Sequence, residues 1–460
     1  MADDAKARLY RKLVREAPDA AVVERMRVNG FWPASQGLPA DPPAEARERA
    51  AVDEELRRLR ASSPGAVDPD KALAAERKRR WAESLKRRKA KREARAAALK
   101  TKRAAWLKHF KSHVVHLGRG VSAGLQDTSL DADALTSRGL PVMASSADLA
   151  MMMGVPLARV KWLTYHRRSA ALVHYHRFGI PKKTGGTRAI SAPKPALKRA
   201  QAWVLKNVLA KLEVSREAHG FVAKRSIVTN ASPHVGRAVV VNLDLKDFFP
   251  SITFGRVKGL FRKLGYNEHV ATVLALLCTE PPRAQVELDG RAWFVSLGQR
   301  VLPQGACTSP AITNALCWRL DRRLAGLAAK RGWSYTRYAD DITLSGDDNA
   351  AGRLLRSVRS ILETEGFTEQ ATKTRVMRRA RRQEVTGVVV NQRVSLPRDE
   401  YKALRATLHN AARHGLASQN RDDRPNFAGY LKGRVAYAKM VDPARGARLE
   451  SLLAAALAKP

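Results

Sequence analysis

The sequence has few cysteines and no long hydrophobic run. Its three cysteines, Cys278, Cys307 and Cys317, are odd in number and form no CxxC pair or His/Cys metal spacing, which excludes a disulfide scaffold and favours reduced thiols. No apolar stretch approaches the roughly 18 residues of a membrane span. The first residues lack the apolar core of a signal peptide. These absences predict a soluble, cytoplasmic protein.

Acidic residues are also scarce, because 84 Lys and Arg face 43 Asp and Glu and leave a formal net charge of +41. With 45% hydrophobic residues the chain is an ordinary globular protein, and its charge indicates a polyanionic partner, most simply nucleic acid. Residues 1–76 contain 13 basic and 14 acidic residues, residues 77–111 contain 16 and 2, and the other 349 contain 55 and 27. Binding is therefore not confined to one tail.

Residues 1–140 are predicted to form a basic, mostly helical N-terminal extension with a proline-rich linker at residues 33–45. Strong helix formers at residues 71–111 predict one long basic helix or a helix pair. Like charges at this density repel one another unless a polyanion offsets them, which favours RNA contact over a solvated helix or a disordered tail. The predicted contacts include Arg79, Arg80, Arg87 and Arg88.

From about residue 141 the apolar residues follow both helical and strand periodicity, without the regular strand–helix alternation of a parallel sheet. The sequence therefore predicts an α+β fold. Residues 142–178 have a helical pattern, and residues 333–345 have the pattern of a hairpin. The predicted division is an extension at 1–140, a mixed domain at 141–394 and a helical domain at 395–460.

Two aspartate-bearing segments have the pattern that phosphodiester synthesis requires. Asp244 ends an apolar strand, and Asp340 and Asp341 fall at the turn of the predicted hairpin. Adjacent aspartates repel each other unless a cation neutralises them. Two Mg²⁺ ions about 3.5–4 Å apart stabilise the attacking and leaving oxygens of such a reaction, and Mg²⁺ prefers oxygen ligands. Taken alone, each segment is equally consistent with an ordinary turn.

The segments around these aspartates resemble the motifs of reverse transcriptases. YADD at 338–341 resembles their YxDD motif, Asp244 with Phe248 and Phe249 resembles their first catalytic motif, and LPQGACTSP at 302–310 resembles the LPQGxxxSP motif beside the incoming nucleotide. The three motifs in this order are far rarer than any one of them.

This resemblance implies a right-hand polymerase, with fingers and palm at 141–394 and a helical thumb at 395–460, preceded by the basic extension. Asp244, Asp340 and Asp341 would hold two Mg²⁺ ions and form the catalytic site.

The resemblance also implies a nucleotide site. IPKKTGGTRAI at 180–190 resembles the cationic fingers hairpin, in which Arg188 is the best triphosphate ligand and Lys183 binds either triphosphate or template. Phe249 falls at the position of an aromatic gate that excludes the ribose 2′-OH, and Gln304 lies beside the nucleotide. Lys373 falls in a motif whose lysine assists pyrophosphate departure. The alternatives are a solvated hairpin, a buried phenylalanine and a surface lysine.

Two short elements resemble retron reverse transcriptases in particular. NASPH at 230–234 matches an NAxxH element and VTG at 385–387 matches a VTG element. Because the family links these regions to recognition of its own RNA, Asn230 and His234 are implied RNA-binding residues, with local turn caps as the alternative. GYLKGRV at 429–435 resembles part of a basic thumb, with Lys432 and Arg434 on the template–product duplex, or is a solvated helix.

The retron resemblance, over about residues 142–440, implies an RNA-directed DNA polymerase that binds a structured non-coding RNA by phosphates and shape. It would use dNTPs, start DNA on the 2′-OH of a guanosine, yield branched multicopy single-stranded DNA, and serve phage defence with an effector protein. The alternatives are a group II intron or diversity-generating reverse transcriptase, against which the two retron elements count, and a catalytically idle RNA-binding protein, against which the intact aspartates count.

Overall fold

A computed structural model describes residues 19–36, 43–62, 68–182, 185–348 and 351–458 of the chain. Its internal contacts divide the chain into two units, Met1–Ala104 and Ala105–Pro460. In this described part, no helix combines the length and the apolar character that a membrane crossing requires.

The first unit contains helices α1 (Asp19–Val28) and α2 (Pro43–Ser62), together with most of α3 (Pro69–Ser112). The 44 residues of α3 form one helix rather than a pair, about 66 Å long at 1.5 Å per residue. Every side chain from 77 to 110 is exposed. A helix that is polar on all sides gains little from burial, so its basic surface is available to a partner.

The second unit is built around a four-stranded antiparallel sheet. Its elements are α4 (Ala132–Ser137), α5 (Ser146–Met152), α6 (Leu157–Thr164), β1 (Ser169–Ala170), β2 (Tyr175–Pro181), β3 (Thr187–Pro193), α7 (Pro195–Asn207), α8 (Ile227–Ala231), β4 (Val239–Asp244), α9 (Phe254–Lys263), α10 (Glu268–Cys278), β5 (Arg283–Leu288), β6 (Arg291–Ser296), α11 (Ser309–Leu316), α12 (Trp318–Lys330), β7 (Ser334–Tyr338), β8 (Asp341–Gly346), α13 (Ala351–Thr364), β9 (Arg375–Arg378), β10 (Glu384–Val385), β11 (Val388–Val389), α14 (Arg398–His414), α15 (Phe427–Val441) and α16 (Pro443–Ala458).

The central sheet has the strand order β7-β8-β4-β9. Successive side chains of a strand point to opposite faces. Val239, Val241 and Leu243 of β4 accordingly join the larger hydrophobic core, whereas Val240 joins a second core with helices α14 to α16. Burial on both faces explains why this strand is apolar apart from Asn242, and it holds the strand in place up to Asp244.

Residues 114–140 pack into the larger core and do not belong to a separate extension. Val114, Leu117 and Leu135 are almost fully buried there, the Asp131 N–H donates to the Gly265 carbonyl at 2.9 Å, and His269 Nδ1 lies 2.6 Å from the Leu125 carbonyl oxygen. The second unit therefore includes residues before 140, where the sequence predicted that the extension ends. The apolar residues of 114–140 belong to this unit because they pack against helix α10.

The helical prediction for residues 142–178 is correct for α5 and α6 and wrong for the end of that range. Residues from Tyr175 onward form β2, which pairs with β3 over seven residues. A second hairpin, β5–β6, turns through Asp289 and Gly290, which both have positive φ (51° and 66°) as a type I′ turn requires.

Candidate active site

The β7–β8 hairpin ends in a two-residue turn that presents two aspartates. Tyr338 pairs with Asp341, and Ala339 and Asp340 form the turn between them. Ala339 has a φ of +57°, the left-handed region that favours glycine. A non-glycine residue in this conformation costs on the order of 1–3 kcal/mol and persists only where its surroundings impose it.

The segment 217–220 packs directly beneath this turn. The His219 N–H donates to the Arg337 carbonyl at 2.7 Å, and the Arg337 N–H donates to the Glu217 carbonyl at 2.8 Å. A Cβ on Gly220 would lie 2.5 Å from the Ala339 nitrogen, so only glycine permits this approach. The turn is therefore clamped by backbone contacts to a segment more than 100 residues earlier.

A buried ion pair supports the same turn from inside the protein. Arg337 and Asp321 have no exposed side-chain surface, and their two hydrogen bonds measure 2.7 and 2.8 Å. Tyr335 donates its hydroxyl to Asp321 at 2.7 Å, and Arg337 Nη1 donates to the Ala339 carbonyl at 3.1 Å. The sequence analysis missed this pair, although Asp321 lies among Leu320 and Leu324 on the buried face of α12, which was a usable signal.

The third aspartate lies opposite the hairpin. Asp244 pairs with Asp341 across the β4–β8 ladder, and both of its carboxylate oxygens accept from Lys373 Nζ at 3.0 Å. Loss of hydration, together with the charges of Asp340 and Asp244, raises the pKa of Asp341 to about 7 against the opposing charge of Lys373, although part of this side chain reaches solvent. Burial and Asp244 also raise the pKa of Asp340, opposed by the charges of Lys373 and Arg188. The three predicted aspartates thus form one cluster of mutually repelling carboxylates.

Divalent cations fit this donor set. Carboxylate oxygens are hard ligands, and a cation would relieve the repulsion that raises both pKa values. Within the described residues, no three His, Cys, Asp or Glu side chains are arranged to hold one metal ion by themselves, and Asp244 is paired with Lys373. Mg²⁺ commonly takes only one or two protein carboxylates together with substrate phosphates, so a complete protein cage is not required.

The two motifs that are predicted to bind the nucleotide contact each other beside the cluster. The Ser191 N–H of β3 donates to the Gln304 carbonyl at 2.7 Å, and Gly305 has a φ of +118° and lies so close to β3 that a Cβ would be 2.9 Å from Ile190 and Ser191. Arg188 is exposed on the same strand, and its charge acts on Asp340. Gln304 is half-buried. Lys183 lies outside the described residues.

Phe249 is a half-buried residue on the loop that follows Asp244. Its ring centroid lies 5.6 Å from that of Phe248 and 6.5 Å from that of Phe221. The ring is thus held by aromatic neighbours and retains an exposed part, which is consistent with the predicted sugar gate.

Comparison with known proteins identifies the family. Residues 180–390 match the family "Reverse transcriptase (RNA-dependent DNA polymerase)". The chain is 47% identical over 326 residues to retron Mx65 reverse transcriptase of Myxococcus xanthus, covering 71% of this chain and 75% of the relative. The chain belongs to the retron reverse transcriptases.

Other relatives agree with this assignment. Retron Mx162 reverse transcriptase of Myxococcus xanthus is 43% identical over 76% of both chains, and retron Ec86 reverse transcriptase of Escherichia coli is 36% identical over 60% of this chain and 80% of the relative. This retron reverse transcriptase is an RNA-directed DNA polymerase of right-hand fold, in a family that uses divalent metal ions.

The two retron elements contact each other in the interior of this reverse transcriptase. Asn230 Nδ2 donates to Thr386 Oγ1 at 3.4 Å. Burial lowers the pKa of His234 to about 3, and its ring nitrogens lie 2.7 Å from Ser345 Oγ and 2.8 Å from Thr336 Oγ1. Asn230 and His234 have no exposed surface, so in this structure their side chains bond within the protein, and their contact with RNA stays a prediction. Asn230 and His234 thus connect the two retron elements to the β7–β8 hairpin.

The other predicted RNA contacts lie at the surface. Arg79 and Arg80 share Glu76 at 2.8 and 3.0 Å, whereas Arg87 and Arg88 are exposed along α3. On α15, Lys432 is exposed and Arg434 is paired with Glu400 at 3.1 Å. Surface pairs of this kind contribute little to stability, so they would yield readily to phosphates.

Proposed function

We propose that this retron reverse transcriptase uses Mg²⁺ and dNTPs to start DNA on the 2′-OH of a guanosine in its own non-coding RNA, giving branched multicopy single-stranded DNA. The observation that carries the proposal is the catalytic cluster, in which Asp244, Asp340 and Asp341 meet at one end of the central sheet. Its restriction to retron RNA is supported by 47% identity to a retron relative and by the packing of the two retron elements under the catalytic hairpin.

The residues of the site have separable roles in this reaction. A ribose hydroxyl attacks the α-phosphate of the dNTP, a new P–O bond forms, and pyrophosphate leaves. The three aspartates would hold two Mg²⁺ ions, which supply charge stabilisation at the attacking and leaving oxygens. Arg188 binds the triphosphate, and Lys373, which now contacts Asp244, is placed to offset charge on the departing pyrophosphate. Phe249 excludes the 2′-OH of the incoming nucleotide.

The test is to express the chain with its native upstream DNA and to analyse the nucleic acid that co-purifies. We expect single-stranded DNA joined to RNase-trimmed RNA, which an enzyme specific for 2′,5′-phosphodiester branches separates into two strands. The matched control is Asp341→Asn, which should yield no DNA. DNA that lacks a branch, or extension of annealed primers alone, would leave the polymerase in place and remove the 2′-OH priming. The same pair of strains, challenged with phage, tests the proposed defence role with an effector.

We further propose that the basic tract of α3 binds RNA phosphates. Removing four charges with Lys86→Gln, Arg87→Gln, Arg88→Gln and Lys89→Gln should weaken RNA binding and flatten the dependence of log K on log salt by up to about 3, since each lost phosphate contact removes about 0.7–0.9 of slope. The control exchanges the same residues for the other cation (Lys86→Arg, Arg87→Lys, Arg88→Lys, Lys89→Arg). If the glutamine variant keeps the slope of this control, the tract does not bind RNA.

A further inference from the structure

An exposed phenylalanine beside the catalytic cluster has an unusual backbone. Phe221 has a φ of +61°, in the region that disfavours every bulky residue, and 57% of the residue is exposed to solvent. Neither feature contributes to stability, because the conformation is strained and the ring buries little area. Strained residues persist where the surrounding structure imposes their conformation, and they cluster at functional sites.

Contacts of the neighbouring backbone impose the conformation of this position. The preceding residue, Gly220, lies against Ala339 of the catalytic turn, and its carbonyl accepts from Asn314 Nδ2 at 3.0 Å. The Ala218 carbonyl accepts from Arg225 Nη1 at 2.5 Å. The backbone that leads into Phe221 is therefore held against the turn that carries Asp340.

The ring of Phe221 ends a row of four phenylalanines. Phe367 and Phe248 are buried (2% and 3% exposed) with centroids 5.8 Å apart, Phe248 lies 5.6 Å from Phe249, and Phe249 lies 6.5 Å from Phe221. The interplanar angles of the last two pairs, 56° and 54°, are tilted arrangements that aromatic rings favour. Phe249 therefore has one buried aromatic neighbour, Phe248, and one exposed aromatic neighbour, Phe221.

We infer that Phe221 is a positioning residue that holds the Phe249 ring in place and thereby sharpens the choice of deoxyribonucleotides over ribonucleotides. This inference rests on the proposed role of Phe249 as the sugar gate. A gate excludes a 2′-OH only if its ring does not yield, because a single hydroxyl is rejected by steric conflict with a fixed surface. The core and Phe248 hold the buried part of Phe249, and Phe221 is its exposed aromatic neighbour.

The experiment measures the ratio of kcat/KM for dNTP and for the matching rNTP on an annealed primer–RNA template. Phe249→Ala should lower this ratio. Phe221→Ala should lower it by about 2- to 10-fold, the effect of losing one aromatic pair, whereas Phe221→Leu should retain part of it. The double variant should match Phe249→Ala alone, because Phe221 acts through Phe249.

A glycine variant separates the ring from the strain. Phe221→Gly removes the ring and also relieves the positive φ, so it should unfold at a higher temperature than Phe221→Ala while losing as much discrimination. Asp289→Gly, which relieves a φ of +51° in the β5–β6 turn, is the control and should leave the ratio unchanged.

Unchanged discrimination in Phe221→Ala and Phe221→Gly, with a loss in Phe249→Ala, overturns the inference and leaves the gate intact. An additive loss in the double variant also overturns it, because Phe221 would then act on the nucleotide directly. Unchanged discrimination in Phe249→Ala overturns the gate itself, and the inference with it.

Discussion

Asp340→Asn and Asp341→Asn, each alone, are expected to abolish DNA synthesis while leaving the protein at least as resistant to unfolding as the unmodified chain. Losing a ligand for the cations that stabilise the transition state should remove several kcal/mol of stabilisation, about a 1,000-fold loss or more in kcat. The free energy of unfolding, in contrast, should stay the same or rise. Folding raises the pKa of both aspartates, so their ionised forms are disfavoured in the folded protein, and a neutral amide removes that penalty.

The measurement is Mg²⁺-dependent dNTP incorporation on a primed RNA, together with a thermal unfolding curve recorded without divalent ions. Asp347→Asn is the matched control, because Asp347 lies just beyond the far end of β8 and pairs with Arg237 at 2.8 Å. It should retain activity. A fully active Asp341→Asn protein would refute the catalytic assignment, and an active-site variant that unfolds much earlier would show that the aspartates have a structural role instead.

Arg337→Met is expected to cause the second large effect, a destabilisation of about 3–5 kcal/mol, because it leaves Asp321 as an unpaired charge with no access to water. Burial and the carboxylate of Asp321 also raise the pKa of Tyr335, so this hydroxyl stays protonated and cannot replace the lost cation. Urea denaturation measures the change in the free energy of unfolding.

The double variant Arg337→Met/Asp321→Asn distinguishes stability from catalysis. It removes both charges and keeps an acceptor for Tyr335, so most of the lost stability should return. The Ala339 carbonyl still lacks its donor, so kcat should stay low with little change in the KM for dNTP. Wild-type kcat in the double variant would mean that the pair only stabilises the fold. A single variant of normal stability would mean that the pair does not form.

Features that depend on neighbouring residues in the chain could be predicted from the sequence. The hairpin that presents Asp340 and Asp341 follows from alternation and a tight turn. The apolar strand before Asp244 is equally local. These elements carry the residues predicted to be catalytic, which is why the sequence alone indicates the family.

Features that depend on packing between distant segments could not be predicted from the sequence. Whether His234 faces solvent or the interior depends on Ser345 and Thr336, which lie 111 and 102 positions away. A short NAxxH pattern carries no information on that burial, so an RNA contact and an interior hydrogen bond were indistinguishable. The early end of the extension depends in the same way on the fit of residues 114–140 against α10. Asp321 shares the buried face of α12 with Leu320 and Leu324, which indicates its burial, but only the fold shows that its partner is Arg337.

The contact between Gly220 and Ala339 also limits how this enzyme can diverge over generations. Position 220 has room for a hydrogen atom and nothing larger, and that room depends on the turn that carries the aspartates. A lineage that lengthened or reshaped this turn would have to reshape residues 217–221 in the same step, because either change alone produces a collision. Substitutions in the two segments are therefore expected to occur together among relatives, although more than 100 positions separate the segments in the sequence.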